Sequence, residues 1–248
     1  MKNLACTFGA ALLTLFLSAQ AAQANVVVSN TRVVFPAQQH EVTVRLTNDN
    51  PHPALVEAWI DSGDVHSTPD NVSTPFLITP PLFRMEAHRD QSLRIISTAT
   101  NLPNDRESLF WLNVLEIPPK PTSLETQGKN LLQFAFRSRL KLFYRPAGLK
   151  GDPTTAPSMV TWKGVADGKG FALSIHNPTA YHITFVKLVV KMGSQQFSTE
   201  KAGMVDPFGD LLMPIADLPK APPAGSEVDY QVINDFGATE PLKGSIAP

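Results

Sequence analysis

Short stretches rich in valine, isoleucine, phenylalanine and threonine recur along the chain, separated by proline and glycine, and in many of them apolar and polar residues alternate. That period of two marks strands with one buried face. It predicts strands over Val26–Phe35, Glu41–Asn48, Leu55–Ile60, Phe76–Thr79, Ser92–Ser97, Leu109–Ile117 and Leu131–Tyr144, with turns such as Asn50-Pro51-His52-Pro53 between them. About seven strands fit one immunoglobulin-like sandwich. Beyond the breaker-rich segment Arg145–Pro153 a second series begins near Thr161 and continues through Gly170–His176, His182–Met192, Gln195–Thr199, Val228–Ile233 and Thr239–Ile246. No helical period is sustained. The expected fold class is all-β, with two immunoglobulin-like β-sandwich domains at 25–145 and 146–248.

The first residues break this pattern. Lys2 is followed by an apolar stretch from Leu4 to Leu17 and by the small-x-small site Ala22-Gln23-Ala24, so residues 1–24 read as a cleavable secretory signal. Its removal takes Lys2 and the single cysteine, Cys6, and moves the formal charge from −1 to −2. The exported chain then holds together by apolar packing without a disulfide. A net charge this close to zero provides no global attraction to nucleic acid or anionic membrane.

Leu131–Arg145 is unusually long for a strand of a small sandwich. Leu132, Phe134, Phe136, Leu140, Leu142 and Tyr144 alternate with Gln133, Arg137, Arg139 and Lys141. Periodicity alone is equally satisfied by an interior core strand. Lys141 has the opposite parity to Leu132, Phe134 and Phe136, a difference that twist, a bulge or a bend would each accommodate.

Several segments together resemble the periplasmic pilus (fimbrial) assembly chaperones of the PapD-like family. They are Thr31-Arg32-Val33-Val34-Phe35, Ile78–Arg84, Leu102–Trp111, Asn113 with Ile117-Pro118-Pro119, and Lys141–Pro146; His176–Thr179 and Ile233–Gly237 add weaker support. The resemblance implies two sandwiches arranged as a boomerang in the periplasm, and pilus subunits and an outer-membrane usher as partners. It implies binding by donor-strand complementation, with Leu132, Phe134 and Phe136 on the donated edge. Burying three such side chains contributes about 5–9 kcal/mol before ordering costs. An exposed apolar edge also needs protection, for which self-association would serve.

The resemblance further implies that Arg32 and Lys141 anchor the C-terminal carboxylate of a pilus subunit, a role for which cationic donors are suited. On spacing alone they are two unrelated charges. Glu107, Arg145 and Asp235 match an interdomain charge cluster. The short stretch between Ile117 and Leu132 resembles the short-loop subgroup. Ala180 departs from the proline many relatives carry after Asn-Pro-Thr.

Enzymatic readings find little support. The six histidines are scattered, and Asp61-Ser62-Gly63-Asp64-Val65-His66, the one local cluster resembling a metal or hydrolase site, is rich in turn formers. No phosphate loop, nucleophile elbow or paired-cysteine motif is present. We therefore expect no cofactor, no metal, no catalytic residues and no nucleic-acid partner. The competing reading is an exported structural fimbrial subunit or adhesin; a subunit would carry a donor segment at its mature N-terminus, whereas the alternating segment here precedes a second domain.

Overall fold

A computed structural model of the chain describes residues 26–99, 101–120, 132–168, 170–201 and 203–248. The expected leader at 1–24 and the position Leu131 lie outside them. The first part contains β1 (Val26–Val28), β2 (Arg32–Pro36), β3 (Glu41–Asn48), β4 (Ala54–Asp61), β5 (Phe76–Thr79), β6 (Leu82–Met85), β7 (Asp90–Ser97), β8 (Ser108–Ile117) and β9 (Phe136–Arg145). One sheet has the order β1-β3-β7-β5 and the facing sheet β2-β9-β8-β4-β6. Only β2 and β9 run parallel among these pairs.

The second part contains β10 (Thr161–Asp167), β11 (Gly170–His176), β12 (Ile183–Met192), β13 (Gln195–Thr199), β14 (Gly203–Val205), β15 (Asp210–Pro214), β16 (Glu227–Ile233) and β17 (Thr239–Ser245). Its sheets are β10-β11-β15 and β13-β12-β16-β17, with β14 pairing β12. The only helical elements among the described residues are two short 3-10 turns. The expected all-β architecture of two sandwiches is thus present.

Each sandwich has its own apolar core. Phe35, Val44, Leu46, Val56, Leu93, Ile95, Leu112 and Leu142 close the first. In the second, Trp162 lies with its ring 4.8 Å from Tyr230 and 5.6 Å from Phe185. Within one strand, inward positions are buried and their neighbours are not, as in Val44 and Leu46 against Thr43, Arg45 and Thr47.

Two expected boundaries are corrected. Val26–Phe35 is not one strand, because the turn formers Ser29, Asn30 and Thr31 let the chain cross from one sheet to the other: β1 pairs β3 and β2 pairs β9. The long segment beginning at Leu131 enters the sheet only at Phe136. Its antiparallel partner β8 ends in register with that residue, Glu116 standing opposite Phe136, and the following Pro118 and Pro119 have no N–H to extend the ladder.

The two ends of β9 are therefore energetically different. Leu142→Ala should destabilise the protein by about 2–5 kcal/mol, whereas Phe136→Ala, at an exposed site, should stay within about 0.5 kcal/mol. Urea unfolding of both variants measures the contrast.

Candidate functional site

Strand β9 carries both parts of the candidate site. Its even-numbered residues Leu140 and Leu142 enter the core and Tyr144 packs against it, while Arg137, Arg139, Lys141 and Arg145 project on the other face. Pairing with β8 and with β2 runs without a register shift. The parity of Lys141 therefore needs no bulge, since the apolar residues and the cation serve opposite faces of one regular strand.

The edge is open over half its length. Strand β2 pairs only with Lys141–Arg145, so Phe136–Leu140 is hydrogen-bonded to β8 on one side and, among the described residues, has no strand on the other. Leu132, Phe134 and Phe136 continue from this edge, 78%, 58% and 52% exposed. The rings of Phe134 and Phe136 lie 6.4 Å apart and, with Pro51, Pro53, Pro118 and Pro119, line an apolar depression. Gln133 steadies the approach by donating through Nε2 to the carbonyls of Pro118 at 3.0 Å and Pro119 at 2.8 Å.

At the other end, Arg32 and Lys141 are direct neighbours across the parallel ladder. Arg32 donates through Nη1 to the Ile233 carbonyl at 2.9 Å, and its guanidinium lies 5.7 Å from the Phe143 ring centre. Its buried Nε has no partner among the described residues. Lys141 donates through Nζ to Thr184 Oγ1 at 3.1 Å. Burial lowers the pKa of both groups; for Arg32 the nearby carboxylates of Asp235 and Glu107 work against this. In Lys141 burial, reinforced by the Arg32 charge, brings the ammonium down to about 8. The two cations thus form a desolvated positive pocket whose bonds go to a carbonyl and a hydroxyl.

Beside this pocket Glu107, Arg145 and Asp235 meet. Arg145 Nε donates to Glu107 Oε1 at 2.7 Å, and its two terminal nitrogens reach Asp235 at 2.7 and 3.0 Å. Burial opposes the charge on Arg145, but its bonds to Asp235 and Glu107 outweigh that effect and raise its pKa. His182, to which sequence reasoning gave no role, completes the cluster: its backbone N–H donates to Glu107 Oε2 at 2.8 Å and its ring Nδ1 lies 3.1 Å from the same oxygen. The Glu107 N–H donates to the Ala180 carbonyl at 2.9 Å, a backbone acceptor that does not depend on the side chain at 180.

The Asp61–His66 segment is a structural corner. Buried Asp61 accepts from Arg139 at 2.6 Å, Asn113 at 2.7 Å, the Gly63 N–H at 2.6 Å and Ser67 at 3.1 Å. Burial works against its charge, yet these donors hold its pKa below the ordinary aspartate value. Arg139 also lies over Trp111 and Arg137 over Trp59, at 4.2 and 4.7 Å, so the polar face of β9 is stiffened beneath its open edge.

Comparison with known proteins defines the class. Residues 25–150 match the family model of the pili and flagellar-assembly chaperone PapD N-terminal domain, and residues 155–244 match that of the pili assembly chaperone PapD C-terminal domain. The chain belongs to the PapD-like pilus assembly chaperone family. It is 42% identical over 245 residues to the chaperone protein FimB/FhaD of Bordetella pertussis, covering 96% of this chain and 94% of that one. Against the probable fimbrial chaperone YadV of Escherichia coli it is 40% identical over 215 residues, 86% of this chain and 87% of the relative. The crystal structure of the YadV chaperone superposes with a TM-score of 0.76 at 38% identity, over 90% of this chain and all of that one. A structure of the Salmonella enterica SafA pilin in complex with the SafB chaperone matches with a TM-score of 0.71 at 28% identity, over 91% of this chain and 99% of the matched one.

Replacing Arg145 by alanine leaves buried Glu107 and partly exposed Asp235 without their shared cation. Breaking a fully buried pair costs about 3–5 kcal/mol, and the exposure of Asp235 places this change below that range. We expect a larger radius of gyration by small-angle scattering, with both sandwiches still folded by circular dichroism.

Proposed function

We propose that this protein is a periplasmic chaperone of pilus subunits that binds them by donating the open edge of β9. The carrying observation is the continuity of that edge: among the described residues Phe136–Leu140 lacks a strand on one side, Leu132 and Phe134 extend it with exposed apolar side chains, and it leads into the Arg32–Lys141 pocket. A pilus subunit lacking one strand of its own would pair along the edge and take Leu132, Phe134 and Phe136 into its groove. Its C-terminal carboxylate would be held by Arg32, whose Nε is unpartnered, and by Lys141. Anchoring the terminus sets the register, because a one-residue slip would turn the apolar side chains to the wrong face.

The cluster of Glu107, Arg145 and Asp235 fixes the two domains, 25–145 and 146–248, around the pocket. Residues 1–24 direct export and are removed, leaving Asn25 at the mature terminus. The loaded chaperone delivers its client to an outer-membrane usher, and an empty one protects its edge by pairing with a second copy. We assign it no catalytic step, since Asp61, the centre of its most enzyme-like cluster, has its acceptors filled by structural donors.

Phe134→Asp and Phe136→Asp should each abolish recovery of a chaperone–pilin complex from periplasm, because a carboxylate cannot enter an apolar groove without a large desolvation penalty. Unfolding of the isolated variants should match wild type. Leu77→Asp, at an equally exposed site on β5, should leave capture intact. Loss of folding in the phenylalanine variants, or undiminished capture, would refute strand donation.

The Lys141 proton makes a second test with two opposite signs. The unfolded lysine keeps its proton to about 10.5 while the folded one loses it near 8, so between these values the unfolded state binds more protons and stability rises with pH. Capture of a pilin needs the charged form and should weaken over the same interval. Lys141→Met should remove both slopes in parallel titrations of unfolding and complex yield.

A further inference from the structure

Phe236 is 89% exposed, more than any other large hydrophobic residue among the described residues, yet the turn that presents it is held from three directions. Within the turn, Asn234 Oδ1 accepts from the backbone N–H groups of Phe236 at 3.1 Å and Ala238 at 3.0 Å, and the Gly237 N–H donates to the Asn234 carbonyl at 2.9 Å. On one flank Asp235 is held by both terminal nitrogens of Arg145. On the other, the Ile233 carbonyl accepts from Arg32, and Gly237, at φ +82°, packs so closely on Thr31 that an added methyl group would strike Thr31 Oγ1. The backbone that carries this bulky aromatic side chain is thus fixed, while the ring itself is left in water.

Such a placement favours contact, because the backbone is already ordered and only the two side-chain torsions of phenylalanine remain to be fixed on binding. Phe236 and Arg32 line the same cleft, together with Phe143, Ile183 and Ile233. Among the buried side-chain donors of the described residues, Arg32 Nε is the one in that wall without a partner and calls for an anionic group, Glu107 and Asp235 beside it being paired with Arg145. The adjoining apolar side chains call for an apolar group covalently close to the anion. Resting on the proposed capture of a pilin's C-terminus, we infer that Phe236 is a specificity-determining residue, stacking on an aromatic side chain near the terminal carboxylate.

The probes are synthetic N-acetylated octapeptides of one background sequence. They end in either a free carboxylate or a carboxamide and carry either phenylalanine or alanine within the last three positions. Isothermal titration is run against wild-type protein, Phe236→Ala and Phe236→Trp. For wild type we expect the free-acid phenylalanine peptides to bind roughly three- to tenfold more tightly than their alanine counterparts at one or more positions. Phe236→Ala should reduce that ratio to below about twofold while keeping the preference for the free acid. Phe236→Trp should restore it, and unfolding of both variants should be unchanged.

A preference for the free acid together with an undiminished phenylalanine ratio in Phe236→Ala overturns the inference alone. Equal binding of acid and amide peptides in wild type overturns the carboxylate anchor on which it rests. Failure of every peptide to bind wild type at millimolar concentration counts against both.

Discussion

The incomplete pairing of β9 is the constraint on which the rest depends. A strand in the middle of a sheet has both rows of backbone groups satisfied, and β9 meets that condition only where β2 reaches it, from Lys141 to Arg145. From Phe136 to Leu140 one row is unclaimed by any strand of the described residues. Most proteins shorten, charge or cover such an edge. Here the apolar parity of the strand continues past the last core residue, so the exposed stretch offers backbone pairing and large side chains together.

The opposite face of the same strand makes that exposure tolerable. Arg137 and Arg139 are committed to Asn113 and Asp61 beneath the open edge, and Arg145 is committed to Glu107 and Asp235 at its end. These bonds involve buried or partly buried partners, where charge-assisted contacts are stronger than on an open surface. Rigidity on one face and availability on the other come from the period of two, which allows neighbouring residues to have unrelated surroundings.

Part of this was legible in the amino-acid sequence: alternation over Leu140–Tyr144 marks the face turned to the core, but Leu132, Phe134 and Phe136 share that parity and stand exposed, a difference that periodicity does not report. The motifs at Arg32, Glu107, Lys141, Arg145 and Asp235 pointed to residues that the fold brings together. Other features depend on contacts that no local pattern encodes. Nothing in Asp61-Ser62-Gly63 foretells that Arg139 and Asn113 will fill its carboxylate, and His182 joins Glu107 only because the second sandwich places it there. Strands β6, β14 and β15 are short and built largely on leucine and methionine, which at that length give a weaker strand signal than the β-branched and aromatic residues of β5.

The contact between Gly237 and Thr31 has a consequence for how such a protein can change over time. Gly237 lies in the second sandwich and Thr31 immediately precedes Arg32 in the first, and the two touch without room for one more carbon. They act as a spacer that sets how far the Ile233 carbonyl stands from the Arg32 guanidinium. A larger residue at either position would wedge the sandwiches apart and withdraw that carbonyl from the cation. Size at 31 and size at 237 therefore form a single inherited variable, and divergence at one position is tolerable only with compensation at the other.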